Sequence, residues 1–102
     1  MPQFDLAPSA QEQLEALLAT TARTSRRRAE KLLEAFFAAF EQVAAFPQSG
    51  EAWRGQVAGL RIKRVPPGWL TFYTDVPPGQ DVIIVRILWA SADLELALAD
   101  LP

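Results

Sequence analysis

Whatever chemistry this chain of 102 residues performs, it performs without histidine and without cysteine. Cys/His zinc sites, cysteine nucleophiles and Ser-His-Asp triads are thereby excluded, as are a disulfide framework and thiolate chemistry. Acid–base work at neutral pH would fall to carboxylates, to Tyr73 or to a lysine with a shifted pKa. The sequence holds no Gly-rich phosphate loop and no cluster of metal ligands, so neither a cofactor nor a metal is expected. The residue that stands out is Arg86. Seven of the eight residues from Val82 to Trp89 are apolar, and Arg86 is the exception. A charge in such a run is costly to bury unpaired. Two roles are open: a structural clamp to Asp75 or Asp93, or a cation on an aromatic-edged concavity that meets an anionic partner.

Charge is unevenly distributed. The net charge of −2 speaks against a general nucleic-acid binder, yet residues 23 to 31 hold five basic residues and one acid. Arg54, Arg61, Lys63 and Arg64 follow within 54 to 64, where there is no acid, and residues 1–22 and the last ten carry only acids. A local basic face on an acidic protein follows from this pattern. Arg26, Arg27 and Arg28 open a helix at the end where the dipole disfavours cations. They read either as a solvated helix end, partly paired through Arg26–Glu30 and Lys31–Glu34, or as a docking patch for an acidic partner. No apolar run approaches the roughly 18 residues of a membrane span. The opening MPQFDLAPSAQ has neither a basic n-region nor a long apolar h-region, so no secretory signal and a cytoplasmic setting are expected.

The elements that must position these residues can be read in order. The length suits one domain over residues 1–102. QFDLAP alternates as a short strand. Ser9 and Glu12 have capping-box spacing, and Leu14, Leu17, Leu18 and Thr21 recur at helical spacing, predicting a helix over about 9–22. A second helix opens at Thr24 or Ser25, keeps its apolar stripe from Ala29 to Ala44, and ends before Pro47. The short connection predicts an antiparallel hairpin. Its many Phe and Ala residues between 35 and 46 serve either a core or an exposed apolar groove.

The grammar then changes to strands. LRIKRV, WLTFYTDV and DVIIVRILWA are separated by two Pro-Pro-Gly triplets that suit type II turns. They predict a three-stranded antiparallel meander, followed by a short closing helix in SADLELALAD with Ser91 as its cap. Strict alternation allows an assembly with Leu60, Ile62, Leu70, Phe72, Ile83, Val85 and Ile87 against the hairpin. The other face would then be half-exposed and carry Arg61, Lys63, Thr71, Tyr73 and Arg86. Trp89 falls at the end of the hairpin-facing side, as a buried indole or as a partly exposed anchor for a partner.

This order of elements, with several short motifs, resembles the RelE/ParE superfamily of type II toxins, also called plasmid-stabilisation toxins. The matching residues are Phe46-Pro47 with Gly50, Gly59-Leu60-Arg61, Trp69-Leu70-Thr71-Phe72-Tyr73, and Ile84-Val85-Arg86-Ile87-Leu88 followed by Asp93-Leu94. The resemblance implies an α+β fold: a short N-terminal strand, an antiparallel helical hairpin on a three-stranded antiparallel meander, and a short C-terminal helix. The chain departs from the family in having no His anywhere and no Tyr near the C-terminus, and at two motif positions. The His that commonly follows R-I-L is Trp89 here, and the Arg before Asp93 is Ala92.

In the RelE-like branch, mRNA is cut in the ribosome, which needs a hydroxyl activated, charge stabilised and a leaving oxygen protonated. Arg61, Lys63, Tyr73 and Arg86 are the residues that could serve. The ParE-like branch resembles this chain more in its long hairpin and its R-I-L…D-L ending, and its members bind DNA gyrase and trap cleaved DNA. The resemblance implies a bacterial growth-arrest toxin with a cognate antitoxin and, as its target, DNA gyrase, with no membrane and no free nucleic acid among its partners. The alternatives are the ribosome-dependent nuclease and a degenerate, non-toxic member. Target contacts are expected among Arg61, Lys63, Arg64, Tyr73, Arg86, Trp89 and Asp93, and antitoxin contacts among Arg26, Arg27, Arg28, Phe37 and Phe40.

Overall fold

A computed structural model describes residues 3–101. The element order is β1 (Phe4–Leu6), α1 (Pro8–Thr24), α2 (Arg26–Ala45), β2 (Glu51–Ala52), β3 (Leu60–Val65), β4 (Trp69–Thr74), β5 (Val82–Trp89) and α3 (Leu94–Ala97). The expected α+β architecture is present, and the meander is embedded in a five-stranded sheet of order β1-β5-β4-β3-β2. Two pairings were not expected from the sequence. β1 joins β5 in parallel, Phe4 opposite Val82, and β2 adds a two-residue antiparallel edge to β3.

The hairpin forms where the periodicity places it, with different caps. Pro8 occupies the first helical turn of α1, where its missing N–H costs nothing, so Ser9 lies inside the helix and the capping box does not form; Ala7 is the cap, with no side-chain bond. Ser25 ends α1 and begins α2 in an extended conformation, and its Oγ accepts the Arg28 N–H at 3.2 Å. Neither Arg26–Glu30 nor Lys31–Glu34 is an ion pair; the pairs among the described residues are Arg61–Asp75, Arg64–Glu51 and Arg86–Asp100. In the closing helix Asp93, not Ser91, is the cap, accepting the Leu96 N–H at 3.2 Å. Of the two Pro-Pro-Gly triplets, only the second has its glycine at positive φ: Gly79 at 91°, under a Gln80 N–H to Pro77 carbonyl bond of 3.2 Å. The first turns through a cis Pro66–Pro67 bond.

Apart from the second half of β5, where Ile87 faces the hairpin as expected, the sheet faces are the reverse of the simple alternation. Val65, Tyr73, Val82, Ile84 and Ile87 pack into the main core with Leu14, Phe36, Phe40 and Val43 of the hairpin. Leu60, Ile62, Leu70 and Phe72 form a second core on the opposite face with Leu98 of the C-terminal segment. Both faces are therefore covered, and apolarity alone does not say which one receives the helices. A β-bulge ends the reversal within β5: Phe72 pairs with Arg86 but Tyr73 pairs with Ile84, so Val85 is an extra residue. Val82 and Ile84 precede the bulge on the hairpin side, and Ile87 and Trp89 follow it on the same side. Neighbours in sequence should thus respond differently. Ile84→Ala, at a fully buried position, is expected to cost about 2–5 kcal/mol in urea unfolding. Ile83→Ala, at a position 41 % exposed, is expected to cost about 1 kcal/mol or less. Equal losses would mean the bulge is misplaced.

Candidate functional site

The residues expected to work together are divided between two faces. Tyr73 is fully buried in the main core, with only its hydroxyl reaching the loop after α2. That hydroxyl accepts the Gly50 N–H at 2.9 Å and donates to the Pro47 carbonyl at 3.0 Å. Burial raises its pKa above 10.0, and the phenol stays protonated through neutral pH. Gly50 is needed for this approach, because a Cβ there would collide with the Tyr73 ring and the Ile62 carbonyl. Arg61 braces the same loop. Its Nε donates to Asp75 at 2.9 Å, one Nη to the Gly50 carbonyl at 2.7 Å and the other to Gln48 Oε1 at 2.6 Å. The hydrogen bond from Arg61 lowers the pKa of Asp75. Tyr73 and Arg61 are therefore parts of one structural knot.

Arg86 lies on the opposite face. It is 7 % exposed, and its partner is neither Asp75 nor Asp93 but Asp100, at 2.6 Å. Its other Nη donates to the Val85 carbonyl at 2.7 Å. The role open to it on structural grounds is thus a clamp, with a partner that lies 14 residues further on. Asp93 is occupied as a helix cap. Arg64 is exposed and bonded to Glu51 at 2.6 Å. Lys63 is half-buried beside Arg64, on the part of β3 that β2 does not cover.

Trp89 marks a different place. It is 41 % exposed and meets Trp69 edge-to-face, with centroids 4.9 Å apart. The indole lies over Gly68, where a Cβ would come within 2.9 Å of the ring, and the Ala90 N–H donates to the Gly68 carbonyl at 2.8 Å. The two indoles wall a groove of about 480 Å³ whose other sides are Thr21, Leu32, Ala35 and the Pro66-Pro67 turn. Arg28 and Lys31 stand at its rim, and neither belongs to an ion pair among the described residues. Through Thr21 and Trp69 it continues into a second depression lined by Gln13, Leu17 and Ile87. There the Ile87 N–H, beyond the end of β1, is capped by the Gln13 side chain at 2.9 Å. Of the expected antitoxin residues, Arg28 is at this groove. Phe40 is fully buried, and Phe37 packs with it against Phe4. Lys31 and Gln13 also line these depressions, a placement that depends on how α1, α2 and the sheet end meet.

Solved structures share this arrangement. One titled as the chromosomal ParDE toxin–antitoxin system from P. aeruginosa superposes with a TM-score of 0.71 at 15 % identity, covering 89 % of this chain and 98 % of the other. A YoeB/ParE toxin from Agrobacterium tumefaciens superposes with a TM-score of 0.56 at 19 % identity, covering 85 % and 96 %. At these identities they define the class, a ParE-like α+β fold. No curated protein sequence matches the chain. The family model described as the ParE toxin of the type II toxin–antitoxin system parDE matches residues 4–94. The chain belongs to the ParE toxin family.

The Tyr73 knot has a measurable signature. Tyr73→Phe leaves the buried Gly50 N–H without its acceptor and should cost about 1–3 kcal/mol. Because the folded phenol titrates above its ordinary value of 10.0, its contribution is complete below that pH and is lost as pH rises through the folded value. Tyr73 is the one tyrosine, so phenolate difference absorbance reports it alone. Wild type should lose more stability than Tyr73→Phe on the alkaline side; parallel losses would mean that the hydroxyl is solvated.

Proposed function

We propose that this chain is a growth-arrest toxin that acts in the bacterial cytoplasm by binding DNA gyrase and trapping its cleaved-DNA state, and that a cognate antitoxin keeps it silent. The observation that carries a protein-binding mode is the separation of Arg86 from Arg61 and Tyr73, which are themselves tied up in one loop-bracing knot. Cleavage of RNA needs a proton carrier and charge converging on one phosphate. Here the phenol is buried and engaged by Gly50 and Pro47, Arg61 braces the same loop, and Arg86 is paired on the far side of the sheet. A surface that grips a protein needs exposed anchors instead. Trp89, Asp93 and the open β3 edge at Lys63 and Arg64 are the reachable members of the expected target-binding set.

The groove beside Trp89 suits the antitoxin. Its apolar floor and unpaired Arg28 and Lys31 complement an amphipathic segment with acidic residues along one side. The solved ParDE assembly and the family description are consistent with such a partner.

Inducible expression tests the target. Gyrase-linked DNA breaks with intact mRNA are the expected result; ribosome-dependent mRNA cuts with intact DNA would replace this reading with the nuclease. The groove is tested by the double variant Arg28→Glu/Lys31→Glu. It should still arrest growth but escape the antitoxin, with affinity at least about tenfold weaker and less salt-dependent than wild type. Full neutralisation of the double variant would place the antitoxin elsewhere.

A further inference from the structure

Helix α2 is charged against its own dipole and finds no correction inside the chain. Arg26, Arg27 and Arg28 open it, where the dipole disfavours cations, and Glu41 is the last charge before it ends at Ala45. Its first turn holds no acid and its last turn no base. Helix α1 does not compensate. The hairpin brings Arg23, in the last turn of α1, to the end that holds Arg26, and Glu12 to the end that holds Glu41. Residues 23–31 carry five cations and one acid, whereas 3–22 and 32–53 carry acids only. None of Arg26, Arg27 or Glu41 belongs to an ion pair among the described residues.

Between these charges α2 exposes an apolar pair. Arg26, Glu30, Leu33, Phe37 and Glu41 recur at helical spacing and so share one stripe. Leu33 is 38 % exposed and Phe37 37 %, and Phe37 meets Phe4 of the edge strand β1 at 5.9 Å. The groove beside Trp89 uses another side of the helix, through Leu32 and Ala35. The stripe is thus a short apolar centre with cations at one end and a carboxylate at the other. An acidic segment would be repelled by Glu30, Glu34 and Glu41, and a basic one by the arginines. The same stripe met in reverse satisfies both ends.

We infer that this stripe is the two-fold interface of a homodimer, in which the α2 helices of two copies cross antiparallel at Leu33 and Phe37. A two-fold axis near the middle of the stripe sets Arg26 and Arg27 of each copy beside Glu41 of the other, and each helix dipole meets its opposite. Every contact forms twice, as an isologous interface requires. Leu33 and Phe37 supply the affinity, while the exposed ion pairs contribute little to it and set the orientation. With one helix on each side, the buried area falls below the roughly 1,200 Å² of a stable interface. The dimer is therefore weak, reversible and loosened by salt. The inference rests neither on the proposed target nor on the antitoxin groove.

Sedimentation velocity of the full-length protein at low salt, from micromolar to near-millimolar concentration, reads the dimer directly. Wild type should associate as concentration rises, and Leu33→Ser should weaken association at least about tenfold. Arg26→Glu/Arg27→Glu and Glu41→Arg should each weaken it by at least about tenfold, because the altered ends then face like charges. An equimolar mixture of these two variants should recover a dimer at least as tight as wild type, since every pair is again of opposite sign. All the substitutions fall at exposed positions, so far-UV circular dichroism should match wild type. A monomer across the whole wild-type series, a dimer that survives Leu33→Ser, or a mixture that stays monomeric would each overturn the inference.

Discussion

The hydroxyl of Tyr73 is the point on which the rest of the structure depends. A tyrosine in the main core must find partners for its oxygen, and it finds them in the loop that leaves α2: the Gly50 N–H and the Pro47 carbonyl. That contact fixes where the hairpin ends relative to β4. Arg61 then ties the same loop to Asp75 and Gln48, which holds β3 at its register with β4, Arg61 opposite Tyr73. Pro47, Gly50, Arg61 and Tyr73, scattered over three short motifs, are one hydrogen-bonded unit. Their placement is explained by architecture without any catalytic step.

With that register fixed, the sheet becomes a partition between two cores of unequal kind. The hairpin side is deep and aromatic, with Phe36 and Phe40 against Tyr73 and Ile84. The other side is smaller and closed by Leu98, which follows the four-residue helix, with Leu94 and Leu101 beside it. The bulge at Val85 makes the division possible. It shifts the pleat by one residue, so that Ile84 and Ile87 both face the helices while Arg86 turns to the smaller side. An arginine is tolerable there because Asp100 lies at 2.6 Å and solvent is close.

The surfaces left over are the ones that the proposed binding role would use. Trp89 is partly exposed, cations stand unpaired at Arg28 and Lys31, and the β3 edge is only partly covered by β2. Family membership and these surfaces agree with each other. They belong to different levels of the argument, since a fold is compatible with many functions and a site is what selects among them.

Hairpin, meander and closing helix were legible in the sequence because each depends on local periodicity and punctuation: leucines at helical spacing, Pro-Pro-Gly between apolar runs, Pro47 after Phe46. The family was legible because short motifs occurred together in one order. Local signals also misled. Ser9 had capping-box spacing, but Pro8 started the helix one residue earlier. Only the tertiary structure decided which face of the sheet met the hairpin, since both faces are apolar and a single extra residue in β5 exchanges them. Only it could show that Tyr73 is a core residue, that Arg86 belongs to Asp100, and that Lys31 and Trp89 share a groove. The physical reason is the same throughout. Periodicity assigns a residue to one side of its own element, whereas the partner of a side chain is set by the register and packing between elements far apart in the chain.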